Sequence, residues 1–214
     1  MDTLQKIKDN KIIAIVRGVY GDDALRLSEA LIKGGVNLIE VTFDQTGRLQ
    51  DTAETIRSIS EHFGGDFLPG AGTVMTTEQV LMAKEAGARY IISPNVKEAV
   101  IRETKKQGLI SLPGAYTPSE AVDAVDFGAD IVKIFPATVL GPAYFKAILA
   151  PLKHISMMAV GGIDENNAGD YIKAGAIGVG VGGTLANKKL IAEGRFDLIT
   201  ETAHKLHTNV FVNL

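Results

Sequence analysis

The chain has 214 residues, 46% of them hydrophobic and 22% charged, which suffices for one sizeable core and falls short of two ordinary domains. Its 22 basic and 25 acidic residues leave a net charge of −3 with no basic tract, which argues against nucleic acid as a partner. It has no cysteine, which removes disulfides, thiolate nucleophiles and cysteine-ligated metals together.

The opening MDTLQKIKDNK is polar and helical in pattern, with no apolar h-region after its charges. No run of eighteen apolar residues follows, so the expectation is a soluble cytoplasmic protein. Short β-rich apolar runs then alternate with amphipathic helical patterns. IIAIVR (12–17) precedes DDALRLSEALIKGG (22–35), which is apolar at i, i+3 or i+4 and ends in glycine. NLIEVTF (37–43) and FLPGAGTV (67–74) come next, then the helical pattern TEQVLMAKEAGA (77–88). YIISP (90–94) and LISLPG (109–114) lead to TPSEAVDAVDFGA (117–129). Its Thr117, Pro118 and Glu120 are spaced as N-cap, N1 and N3 of a helix. IVKIFP (131–136), SMMAVGG (156–162) and AIGVGVGG (176–183) complete the strands, and a final amphipathic helix follows. The endings KGGV, EAGA, DFGA and KAGA each stand just before a strand, marking a repeated helix–glycine–strand unit.

Eight such units with near-continuous apolar strands predict a single (β/α)8 TIM barrel over residues 1–214. A doubly wound sheet is the rival fold. It is disfavoured because no G-x-G-x-x-G follows the first strand.

In a parallel barrel, chemistry gathers at the C-terminal ends of the strands. The residues there are Arg17, Glu40 with Thr42, Thr73, Ser93 with Pro94, Pro113 with Gly114, Lys133, and the glycines at 161, 162, 180, 182 and 183. Lys133 and Glu40 are ionisable groups inside apolar strands. Burying an ammonium costs several kcal/mol or depresses its pKa. Lys133 could snorkel outward or form a structural pair with Glu40. Alternatively it is a neutral amine poised to attack a carbonyl, with Glu40 as general acid and base. Strand parity leaves the choice of face open, because a one-residue slip reverses it. VGGIDENN (160–167) and GVGVGGTL (178–185) are glycine-rich turns positioned to start helices, a usual place for phosphate in such barrels. Glycines that merely permit tight turns are the plainer reading of either one alone. His62, His154, His204 and His207 lie away from strand ends and read as surface or packing residues, so no metal site is expected. Pro94, Pro113 and Pro136 are expected to shape the mouth and cap the ladder.

The segments IVRG (15–18), IEVTF (39–43), GAGTV (70–74), ISPN (92–95), PGAYTPSE (113–120), KIFPA (133–137), AVGGI (159–163) and GVGVGG (178–183) occur in order along almost the whole chain. Together they resemble the 2-keto-3-deoxy-6-phosphogluconate aldolase family, which includes phosphogalactonate and 4-hydroxy-2-oxoglutarate aldolases. The resemblance implies a metal-free, cofactor-free class I aldolase, usually a homotrimer. It implies that Lys133 forms the Schiff base and Glu40 shuttles the proton. Thr73 would lie by the pyruvate carboxylate, with Pro94 at the same mouth. Arg17 and the glycines 161, 162, 182 and 183 would bind anions. Three positions depart from the pattern. Val160 stands where gluconate-type members commonly carry threonine, as it does in the galactonate-type ones. This predicts weak C4 selectivity or a galactonate substrate, since a hydroxyl can discriminate epimers and a methyl cannot. Asp44 replaces an arginine found near the carboxylate in some members. Gly183 replaces a phosphate-binding serine, for which Thr184 could compensate. The rival functions are a metal-free phosphate-binding isomerase or synthase, and a non-catalytic phosphosugar-binding barrel.

Overall fold

A computed structural model describes residues 2–212. Its strands are β1 (Ile12–Val16), β2 (Leu38–Thr42), β3 (Leu68–Gly72), β4 (Tyr90–Ile92), β5 (Ile110–Leu112), β6 (Gly114–Ala115), β7 (Val132–Ile134), β8 (Met157–Val160) and β9 (Gly178–Val181). All the pairings are parallel, in the order β5-β4-β3-β2-β1-β9-β8-β7-β6. The two ends of that order, β5 and β6, are consecutive in the chain and separated by Pro113 alone. The sheet therefore closes on itself, and the doubly wound alternative is set aside.

The fifth predicted strand, 109–114, is thus broken in two. Pro113 has no N–H to donate, so the ladder is interrupted there. Its carbonyl still accepts from Lys133 N at 2.9 Å, and Leu112 O accepts from Ser93 N at 3.2 Å. The other seven runs form where expected but end earlier than the sequence pattern suggests. Thr73 leaves its strand with φ 53°, and Pro94 lies beyond the end of β4.

The helices are α1 (Thr3–Asn10), α2 (Gly21–Lys33), α3 (Leu49–Phe63), α4 (Thr77–Glu85), α5 (Glu98–Lys106), α6 (Pro118–Asp126), α7 (Ala137–Leu149), α8 (Ala168–Lys173), α9 (Lys188–Ala192) and α10 (Phe196–Val212). The N-cap reading of α6 holds. Thr117 Oγ1 accepts from Glu120 N, the Glu120 carboxylate accepts from Thr117 N, and Pro118 occupies the first turn. No helix among the described residues is long and apolar enough to cross a membrane.

The buried side chains form two layers. Ile13, Leu38, Leu68, Tyr90, Ile131 and Met158 fill the barrel interior, and Ile7 of α1 packs with them. Alternate strand residues, among them Ile39, Val41, Val132 and Ile134, pack in the larger layer with helix residues such as Leu27, Ile56, Val80 and Leu206. This alternation settles the parity question. Glu40 lies between two outward residues of β2, and Lys133 lies between two outward residues of β7, so both point into the barrel.

Candidate active site

Above the interior layer a cavity of about 810 Å³ opens at the C-terminal ends of the strands. That volume suits a small-molecule ligand. Lys133, Glu40, Arg17, Thr73, Pro94, Val160, Gly161, Gly162, Gly182 and Gly183 all line it, whereas Thr42, Ser93 and Gly114, also at strand ends, do not. Pro113 and Pro136 do not line it, and none of the four histidines does. Among the described residues no cluster of histidine, aspartate and glutamate could hold a metal. His207 instead stacks on Phe211, with centroids 4.4 Å apart.

Glu40 and Lys133 are the cavity's deepest charged groups, 2% and 7% exposed. Register places Glu40 beside Ile15 and Gly70, and Lys133 beside Gly114 and Met158. The Tyr90 ring occupies the space a Cβ on Gly70 would need, and its hydroxyl donates to Ile39 O at 2.8 Å. The Glu40 carboxyl lies where a Cβ on Gly72 would stand. Gly72→Ala is therefore expected to push the carboxyl aside. Steady-state turnover should fall about 10²-fold, the scale of a small misplacement at a reacting centre, while circular dichroism stays unchanged.

Burial raises the pKa of Glu40 above its ordinary 4.5, opposed by the nearby charges of Lys133 and Arg17. Burial likewise lowers Lys133 below 10.5; Glu40 opposes that shift and Arg17 reinforces it. The enclosure thus favours the neutral amine that a nucleophile needs at Lys133, and makes the Glu40 carboxylate a stronger base than a free one. Glu40 Oε2 has no hydrogen-bond partner within the described protein. Lys133 Nζ lies 4.7 Å from the centroid of the Phe135 ring, which covers one flank of the amine.

Thr73 adopts the left-handed backbone region, rare and costly for a β-branched residue, by roughly 1–2 kcal/mol. Its surroundings impose that conformation. Gln45 Nε2 donates to Thr73 O at 2.9 Å, and Gln45 Oε1 accepts from Gln79 Nε2 at 3.0 Å. Arg17 Nη2 donates to Thr73 Oγ1 at 3.4 Å. The Asp44 carboxylate turns to the Thr46 backbone and hydroxyl, at 2.9 and 2.6 Å, which lowers its pKa. Asp44 is not part of the cavity lining.

The two glycine turns differ in what makes them glycine. Gly161 and Gly162 have φ 98° and 77°, which the turn itself demands. Gly182 and Gly183 do not have positive φ, and a Cβ at Gly183 would meet nothing within 4 Å. Neither backbone strain nor packing requires glycine at 183, so its bareness leaves room for a ligand against the main chain.

The model of the KDPG and KHG aldolase family matches residues 4–202. The chain belongs to that family. It is 38% identical over 178 residues to a probable 2-dehydro-3-deoxy-6-phosphogalactonate aldolase of Rhizobium meliloti, covering 83% of this chain and 82% of that one. A solved native KDPGal structure superposes with a TM-score of 0.85 at 32% identity, covering 94% and 95% of the two chains. The KDPG aldolase of Legionella pneumophila, solved with pyruvate captured as a covalent carbinolamine, superposes with a TM-score of 0.83 at 29% identity over 92% and 93%.

Several lining residues of this family member escaped the sequence reading: Ile15, Phe135, Ile163, Asp164, Asn187, Lys188 and Lys189. Ile15 and Phe135 stand two residues from Arg17 and Lys133, so strand alternation would have found them once the face was known. Lys188 and Lys189 follow the last strand by several residues, where no periodicity points inward.

Proposed function

We propose that the protein is a class I aldolase that cleaves a 2-keto-3-deoxy-6-phospho sugar acid to pyruvate and glyceraldehyde 3-phosphate. The observation that carries this reading is the pairing of a buried, pKa-depressed Lys133 with a buried, pKa-elevated Glu40 in one cavity. Neutral Lys133 adds to the C2 carbonyl, and loss of water leaves an iminium. Glu40, through a water, accepts the C4 hydroxyl proton. The C3–C4 bonding electrons move into the iminium as the aldehyde departs, leaving an enamine. Protonated Glu40 then returns its proton to C3, and hydrolysis frees pyruvate and the amine. Arg17 and Thr73 bind the carboxylate end, with Pro94 shaping the wall; the turns at 161–162 and 182–183 take the phosphate. The working assembly is a cytoplasmic homotrimer, as the family resemblance implies, and light scattering at three times 22.8 kDa would agree.

The galactonate-type substrate is favoured at C4. Val160 is inward-facing and only 5% exposed, and Gly180 beside it offers no side chain. The wall there has no hydroxyl to bond one epimer. Pyruvate release from the two C4 epimers tests both the reaction and its selectivity. The wild type should prefer the galactonate epimer or separate the two weakly. Val160→Thr should shift the ratio towards gluconate by about tenfold, the scale of one added polar contact. Equal strict preference for gluconate in both proteins would contradict the assignment.

A further inference from the structure

We infer that Lys188 is a specificity-determining residue, supplying the side-chain cation for the substrate's 6-phosphate that a serine at 183 does not supply here. This rests on the aldolase reading above. Lys188 opens α9, five residues after Gly183 of the glycine turn, and lines the cavity. Its side chain folds back across the mouth, so that Nζ lies 3.2 Å from where a Cβ on Gly18 would be, at the end of β1. Gly18 has φ 67°, and a Cβ there would sit in tight contact with the ammonium. A lysine free to extend into solvent gains nothing from that path, whereas one serving the cavity must take it.

No carboxylate neutralises this ammonium among the described residues. The adjacent Lys189 faces Glu193 at 4.0 Å, but Lys188 forms no ion pair. Of the two carboxylates in the lining, Glu40 is buried against Lys133. Asp164 Oδ1 accepts from the backbone of Asn166 and Asn167, at 2.8 and 3.1 Å. A second observation points to the same ligand. Thr184 Oγ1 is buried, lines the cavity and has no hydrogen-bond partner within the described protein. A hydroxyl donor, an unpaired ammonium and the bare backbone of Gly182 and Gly183 thus line one cavity, the combination that a phosphate dianion satisfies.

Kinetics with paired substrates test this: 2-keto-3-deoxy-6-phosphogalactonate against the same acid without phosphate. Lys188→Ala should raise KM for the phosphorylated acid about tenfold or more, as expected for losing one charge-assisted contact. It should leave kcat, and kcat/KM for the unphosphorylated acid, within about twofold. Lys188→Arg should restore most of the affinity and Lys188→Glu should worsen it. Added salt should weaken the phosphorylated substrate more in wild type than in Lys188→Ala. Thr184→Val should show the same selective loss on a smaller scale. Unchanged KM in Lys188→Ala, or equal losses on both substrates, would overturn the inference. Failure of the aldolase reading is seen separately, as wild-type protein that turns over neither acid.

Discussion

Lys133→Met should abolish aldol cleavage, with a loss of at least about 10⁴-fold in kcat, because removal of a nucleophile leaves only binding and electrostatics. Methionine nearly matches the lysine stem in length and apolar contact. Lys133 sits between Met158 and Gly114, where an unbranched thioether fits without a charge to desolvate. The variant should therefore keep its circular dichroism spectrum and a sharp thermal transition. It should also still bind pyruvate without forming a borohydride-reducible adduct. Substantial turnover in folded Lys133→Met would remove the imine from the mechanism.

Glu40→Gln should lower kcat by about 10²–10⁴-fold, the usual contribution of a positioned acid–base group. It also moves a pH profile in a direction the electrostatics fix. The Glu40 carboxylate raises the pKa of Lys133, against burial, which lowers it. With glutamine at 40 that opposition is gone, so Lys133 should deprotonate at lower pH. The rise of pyruvate trapping with pH should shift to the acid side. Stability should change in the opposite sense to activity. The folded-state pKa of Glu40 lies above its ordinary 4.5, so its stability contribution is complete below 4.5 and lost as pH rises through the folded value. Glu40→Gln removes that loss, and its melting temperature relative to wild type should climb over that window. An unshifted trapping profile would mean the two groups do not sense each other, and a pH-independent stability difference would mean that burial does not raise the Glu40 pKa.

How much of this was legible in the sequence depended on the physical character of each signal. The eight strand–helix units could be read because parallel strands buried on both sides are continuous apolar runs, as in IIAIV and LIEVT. Lys133 and Glu40 stood out because charge inside such runs is costly. Their common orientation did not, since alternation gives two faces and only the packing of Leu38 and Ile131 names the inner one. The break at Pro113 depends on which neighbour each half of the strand pairs with, a long-range property. The role of α1 was hidden because Ile7 is its single buried residue in a polar sequence. Gln45 was missed for a similar reason, since its bond to the Thr73 carbonyl depends on a loop conformation and not on a period. Lys188 reaches the site only because its side chain doubles back towards Gly18, and no spacing rule encodes that.

The imine itself is the central claim, and peptide mass mapping after incubation with pyruvate and borohydride tests it most directly. The account predicts a single reduced pyruvate adduct on the peptide containing Lys133. An adduct confined to another lysine, or none in folded protein shown to bind pyruvate, would contradict it.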